Sequence, residues 1–155
     1  MKYESYDTVR IADDLSSFDF VSTGRRGSYL KQISFEPMKN GEVYQLVFGN
    51  LVAENEIDDF SINDNGDRNK ILATVALAVN KYTKRYPGRM VYITGSTPSR
   101  TRLYRMAIGL NLEELSLTFE IYGETPTRIV PFCKNMEVIG FFVKRKSFYY
   151  PFTTI

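Results

Sequence analysis

The sequence predicts an α+β fold in which two main helices pack on a mostly antiparallel sheet. Two segments carry apolar residues at spacings of three and four, which is typical of amphipathic helices. The rest of the chain is rich in short β-branched and aromatic runs bounded by Gly, Pro and Asn, which is typical of strands. The predicted order is therefore strands, helix, strand, helix, strands. With 155 residues, the chain has the size of one domain, predicted over residues 1–146, followed by an aromatic tail at 147–155.

The predicted strands lie on both sides of the helical region. In the N-terminal part, apolar and polar residues alternate over 17–21, and further strands are expected at 29–35 and 43–48. Asn40-Gly41 suits a hairpin turn, because both residues tolerate a positive φ. A short apolar strand at 90–94 separates the helices. Three strands are expected after them, at 118–122, 128–132 and 138–143, with a hairpin loop at 123–127.

The first helix is predicted over 67–86, where Pro87-Gly88 ends it. Its last turns hold Lys81, Lys84 and Arg85, which suit the negative end of the helix dipole. The second helix is predicted to begin at Pro98 with Thr97 or Ser96 as its cap. It is expected to end near 109–111 or to continue through 112–115. Its predicted buried stripe consists of Leu103, Met106, Ala107 and Leu110.

Composition excludes several classes of chemistry. The chain has no histidine, which rules out Ser-His-Asp and Cys-His nucleophiles, His-ligated zinc and His-based ribonucleases. Its one cysteine, Cys133, is expected to be a small buried hydrophobe, and a chain without disulfides fits a reducing cytoplasm. We find no signal peptide and no apolar run of the roughly 20 residues that a membrane span requires. We therefore expect a cytoplasmic protein that does not contact a membrane.

The acidic segment 54–67 invites comparison with a calcium loop, but the template fails. With Gly66 at the sixth position, Ser61 and Leu72 would occupy positions that require Asp and Glu. The alternative is an acidic loop that ends at a helix start, with Asp67 beside the positive end of the helix. No metal and no cofactor are predicted.

Charge is strongly segregated along the chain. Residues 1–67 carry six Lys/Arg and thirteen Asp/Glu (net −7), residues 68–112 carry nine Lys/Arg and no acid (net +9), and residues 113–155 carry five of each. These values sum to the net charge of +2. Either the acidic and basic segments pair within the domain or across a homodimer, or the basic segment binds a polyanion.

The segment that leaves the 90–94 strand and opens the second helix has the composition of an anion site. Free main-chain N–H groups and a partial positive charge collect at a helix N-terminus, where acidic residues are usual. This helix instead begins with hydroxyl residues and arginines, which together suit a phosphate. The predicted anion-binding residues are Gly95, Ser96, Thr97, Ser99, Arg100, Thr101, Arg102, Tyr104 and Arg105. In the alternative, Arg100 and Arg102 pair with the acidic segment or with Glu113 and Glu114, and Tyr104 packs in the core.

The C-terminal tail is aromatic and follows the basic cluster Lys144-Arg145-Lys146. Aromatic residues beside bases can stack on nucleobases. Packing of the tail on its own or a neighbouring subunit is the favoured interpretation.

Two strings of residues resemble a known family. They are the segment from Asn65-Gly66-Asp67 to Val75 and the segment from Gly95 to Tyr104, followed by Phe119-Glu120-Ile121-Tyr122-Gly123. On these, the chain resembles a family of small uncharacterised Bacteroidota proteins, a domain of unknown function often encoded on plasmids and other accessory DNA. The resemblance implies a bacterial cytoplasmic protein of accessory function and supplies no activity.

Three functions follow as hypotheses. The first is a non-catalytic module that binds phosphate-bearing ligands or nucleic acid through residues 95–105. The second is an interaction protein whose acidic and basic segments meet in an oligomer. The third is a histidine-free nuclease of the toxin kind, in which arginines stabilise phosphoryl charge and Tyr104 handles a proton.

Overall fold

The computed structural model describes residues 3–54, 56–58 and 65–147 as one long sheet with three helices on one of its faces. The helices are α1 (Arg68–Arg85), α2 (Pro98–Leu110) and α3 (Leu112–Leu115). The strands are β1 (Arg10–Ile11), β2 (Ser17–Gly24), β3 (Gly27–Pro37), β4 (Val43–Ala53), β5 (Glu56–Asp58), β6 (Met90–Ile93), β7 (Phe119–Glu124), β8 (Ile129–Pro131) and β9 (Gly140–Arg145). A mixed fold with a largely antiparallel sheet is confirmed, and β1 and β5 are additions to the predicted elements. Of the two predicted ends of the second helix, the structure has the earlier one, and residues 112–115 form the separate short helix α3.

The strand order is β1-β2-β3-β4-β6-β9-β7-β8, and β5 pairs with the end of β4. Within the described ranges, every pairing is antiparallel except that of β4 with β6. The parallel pair follows from the chain's path, because parallel neighbours need a crossover connection and α1 lies between these two strands. The strand before α2 is therefore central in the sheet, flanked by β4 and β9.

The hydrophobic core lies between the sheet and the helices. Strand register places Phe18, Ile33 and Phe48 opposite one another on the helix-covered face. In α1, the ring of Tyr82 stacks on Phe35 with centroids 4.0 Å apart. Both rings are almost fully buried, so this contact fixes α1 over the centre of the sheet.

Arg89 is one of the nine bases of the basic segment, and the fold uses it structurally. Its guanidinium lies 3.8 Å from the ring centroid of Tyr86 and 4.2 Å from that of Tyr44. It also donates a hydrogen bond of 2.8 Å to the hydroxyl of Tyr82. These stacking and hydrogen-bond contacts tie the end of α1 to β4.

The predicted buried stripe of the second helix is wrong. Thr101 is the buried residue of α2, and Tyr104 and Ile108 pack against the core on the same side. Met106 and Leu110 are 51% and 74% exposed. Apolar residues occur on two sides of this helix, so spacing alone does not decide which side is buried.

Cys133 follows β8 and is exposed, so the expectation of a small buried hydrophobe is also wrong. The segment after β8 runs over the surface as turns and irregular chain, and this removes the cysteine from the core.

Asp67 connects the start of α1 to the N-terminal segment and to β2. Its Oδ2 accepts hydrogen bonds of 2.5 Å from the hydroxyls of Tyr6 and Ser22. The preceding Asn65 donates to the carbonyl of Gly27 at 2.8 Å, which anchors the β2–β3 turn. The predicted position of Asp67 beside the helix start is confirmed, but its side chain makes no capping bond to α1.

We predict that Asp67→Ala lowers the free energy of unfolding by about 3 kcal/mol, because two hydroxyls lose a charged acceptor. Urea denaturation followed by circular dichroism measures this. Asp13→Ala, at an exposed aspartate, is the control and should stay close to wild type. Equal midpoints for the two variants would contradict the structural role of Asp67.

Candidate functional site

The first turns of α2 and the loop before β9 enclose an open cleft of about 660 Å³. Four hydroxyl side chains line it, from Thr94, Ser96, Thr97 and Thr101. Arg102, Arg105 and Glu137 add charged groups, and Val138 and Ile139 form the apolar wall. The cleft therefore combines polar and apolar walls and holds one more basic than acidic side chain.

The start of α2 is built as the sequence predicts, with Pro98 first and Thr97 as the cap. The Thr97 hydroxyl accepts from the main-chain N–H of Arg100 at 3.3 Å. One turn on, the Thr101 hydroxyl accepts from the N–H of Gly95 at 3.0 Å, which joins the helix to the chain leaving β6. These bonds hold the cleft wall in place.

Gly95 is required by a close approach of the main chain. A Cβ at this position would lie 2.4 Å from the main-chain nitrogen of Thr101 and 2.5 Å from the Cβ of Arg100. Neither atom belongs to the flexible end of a side chain, so a larger residue must displace the helix start.

The two arginines of the cleft differ in their contacts. Arg105 Nη1 lies 2.7 Å from Glu137 Oε1, in a pair whose carboxylate side chain is 89% exposed. Arg102 is exposed and makes no ion pair or hydrogen bond within the described ranges. Because exposed ion pairs contribute only about 0–1 kcal/mol, an anionic ligand can compete with Glu137 for Arg105.

Six of the nine predicted residues line the cleft, and Ser99, Arg100 and Tyr104 do not. Arg100 donates from Nη1 to Ser96 Oγ at 2.8 Å, and its charge also acts on the buried Lys31. Burial raises the pKa of Tyr104 to about 12, and this side chain packs against the core. Tyr104 thus stays protonated at neutral pH, and the structure gives no support for its predicted proton-handling role.

Sequence reasoning missed a pair of residues beside the cleft. The hydroxyl of Tyr92 donates a hydrogen bond of 2.6 Å to Glu124 Oε1. Burial and this bond to the carboxylate raise the pKa of Tyr92 to about 12, so the phenol keeps its proton at neutral pH. Alternation along residues 90–94 could have placed Tyr92 and Thr94 on one face, but Glu124 lay in a predicted loop.

The match to a known protein family covers almost the whole chain. The model of a family of unknown function, DUF6934, matches residues 2–146. The chain belongs to this family. No curated protein and no solved structure is significantly similar to it. The domain of unknown function expected from the resemblance is confirmed, and Bacteroidota or plasmid origin stays a prediction.

Two features are absent from the described residues of this DUF6934 chain. None of the helices in the described ranges is long and apolar enough to cross a membrane. The same ranges contain no group of three or more His, Cys, Asp or Glu side chains placed to hold a metal ion. Residues 55 and 59–64 of the acidic segment and 148–155 of the aromatic tail lie outside the described residues.

We predict that Gly95→Ala lowers the free energy of unfolding by about 1–3 kcal/mol, because the added methyl group meets main-chain atoms of α2. Chemical denaturation measures the loss. Gly88→Ala is the matched control, since no heavy atom lies within 4 Å of a Cβ at that position. A Gly95→Ala variant as stable as Gly88→Ala would show that α2 can start without this close approach.

Proposed function

We propose that this protein binds single-stranded nucleic acid and holds its phosphate groups in the cleft at the start of α2. The observation that carries the proposal is the position of Arg102. It is exposed, faces the cleft without a partner among the described residues, and stands beside Thr97, whose hydroxyl accepts from the N–H of Arg100 and can donate its own proton to a phosphate oxygen.

Helix electrostatics support an anion at this position. The first turn of α2 has no acidic residue, although the positive end of the dipole favours one. Arginines near this end are destabilising by a few tenths of a kcal/mol to about 1 kcal/mol each. A bound phosphate reverses the sign of that interaction, because it meets both the dipole and the guanidinium groups.

A strand of nucleic acid suits the surroundings of the cleft better than an isolated anion. Thr94, a wall of the cleft, follows β6 on the helix-free face of the sheet, where the register aligns Tyr92, Phe142 and Tyr122 across β6, β9 and β7. The rings of Tyr92 and Phe142 lie 4.8 Å apart. Exposed parts of such rings offer stacking surfaces to unpaired bases whatever their sequence.

The test is fluorescence anisotropy of a labelled single-stranded RNA at several salt concentrations. The double variant Arg102→Ala/Arg105→Ala should bind at least about ten-fold more weakly at low salt, and its log–log salt slope should be smaller by about 1.4. Lys81→Ala/Lys84→Ala removes the same charge from exposed positions in α1 and is the matched control. Equal losses in both double variants would show non-specific attraction and contradict the cleft.

A second variant should increase the affinity for RNA. Glu137→Gln removes the carboxylate that pairs with Arg105, so we expect RNA to bind several-fold more tightly. Glu113→Gln removes an exposed carboxylate that does not line the cleft. Tighter binding in both variants by the same factor would again indicate net charge alone.

The nuclease alternative stays a prediction, and the structure changes the residue to test. A carboxylate suits a general base better than Tyr104 does, and among the described residues Glu124 is the one beside the cleft that is not paired with an arginine as Glu137 is. Gel analysis of the bound RNA, with Glu124→Gln as the inactive variant, tests cleavage directly.

Oligomerisation is a second candidate, favoured by the outer side of α2. Met106 and Leu110 are one helical turn apart and both more than half exposed. Exposed apolar residues on one helix side are typical of an interface. We predict that light scattering finds a dimer and that Leu110→Glu converts it to a monomer, whereas Leu117→Glu, at another exposed leucine, does so less. A monomeric wild type would contradict this.

A further inference from the structure

We propose that the carboxylate of Glu124, held by Tyr92, accepts a hydrogen bond from a ribose 2′-hydroxyl, so that the cleft prefers RNA to DNA. This inference rests on the proposed function and names its substrate class. The 2′-hydroxyl is the group by which a protein distinguishes the two nucleic acids at a given position.

Strand register places Glu124 beside the cleft, in line with one of its lining residues. Glu124 pairs with Gly140, and Ile93 pairs with Phe141, so Thr94 and Glu124 lie in one row on either side of Gly140. The Thr94 hydroxyl donates to the carbonyl of Ile139 at 2.8 Å, which confirms that row. Two strand spacings separate the Cα atoms of Thr94 and Glu124 by ~10 Å, and Thr94 is itself a wall of the cleft.

The side chain of Tyr92 reaches over Gly140 from the neighbouring row, in which Tyr92 pairs with Phe142. A Cβ at Gly140 would lie 2.5 Å from the Tyr92 hydroxyl oxygen, so the phenol ring crosses directly over the glycine. Its hydroxyl donates to Glu124 at 2.6 Å, on the same face of the sheet as the Thr94 side chain. The absence of a side chain at Gly140 therefore leaves room for the Tyr92 hydroxyl between the Thr94 and Glu124 positions.

The Glu124 carboxylate beside the phosphate site suits a nucleotide better than a free anion. A carboxylate repels phosphate, so Glu124 has no favourable contact with the group that Arg102 binds. It can only accept, and Tyr92 already occupies Oε1. In a nucleic-acid strand, the donor that accompanies every phosphate is the 2′-hydroxyl of RNA, whereas DNA has none at this position.

The experiment compares three labelled single strands of one sequence by anisotropy at low salt: RNA, DNA and 2′-O-methyl RNA. Wild type should bind RNA about ten-fold more tightly than the other two, the change expected when one hydrogen bond to a charged group is lost. The 2′-O-methyl strand keeps the ribose oxygen but lacks the donor, so it separates hydrogen bonding from backbone shape.

Three variants test whether Glu124 and Tyr92 cause the preference for RNA over DNA. Glu124→Ala should bring the RNA-to-DNA affinity ratio close to one, and Tyr92→Phe should lower it without abolishing it. Glu120→Ala is the matched control, because Glu120 lies on the same strand and face and pairs with Lys144. Circular dichroism verifies that each variant folds. Gly140→Ala should also lower the RNA-to-DNA affinity ratio, because its methyl group displaces the Tyr92 hydroxyl.

The outcomes separate this inference from the proposed function. Salt-sensitive binding that depends on Arg102 and Arg105 but is equal for RNA and DNA would overturn the 2′-hydroxyl contact and leave the phosphate site standing. The same holds if Glu124→Ala strengthens binding to all three strands without changing their ratio. No binding of any strand at low salt would overturn both proposals.

Discussion

The close approach of Gly95 to the first turn of α2 decides where the arginines of the candidate site lie. The N–H of Gly95 donates to the hydroxyl of Thr101, and the absence of a Cβ lets the helix start against the end of β6. This contact sets the rotation of α2 about its axis. With Thr101 turned inward, Arg102 faces solvent and Arg105 faces the loop that carries Glu137. A different rotation would bury one arginine or carry both away from the sheet.

The position of β6 in the sheet determines which strands lie beside the cleft. The crossover through α1 places β6 parallel to β4, and β9 then pairs with its other side. Because β7 follows β9 in the sheet, Glu124 comes to lie beside residues from about thirty positions earlier in the chain, as its bond to Tyr92 shows. The site is thus assembled from a strand end, a helix start and a third strand, and its polar row depends on pairings that are remote in sequence.

Local signals in the sequence predicted the parts of the structure that depend on local geometry. Pro87-Gly88 and Pro98 gave the end of α1 and the start of α2 to within a residue, since proline restricts the backbone of its neighbours wherever the chain goes. The rotation of α2 could not be predicted, because apolar residues lie on two of its sides and tertiary packing chooses between them. Glu124 was assigned to a loop because Gly123 precedes it, whereas pairing with β9 extends β7 through both residues. Sheet order is set by such long-range pairing, which leaves no local pattern.

The basic segment shows why net charge alone is a poor guide to an interface. Of its nine bases, Arg89 is enclosed by tyrosine rings and Arg100 bonds to Ser96, so neither contributes to the cleft. Arg102 and Arg105 can neutralise only about two phosphates, which gives a salt slope of about −1.4 for a single strand. An electrostatic term of that size is too small to hold a ligand at physiological salt. Selective binding must therefore come from contacts that salt does not screen, and the rings and the Tyr92–Glu124 pair beside the cleft are the groups positioned to supply them.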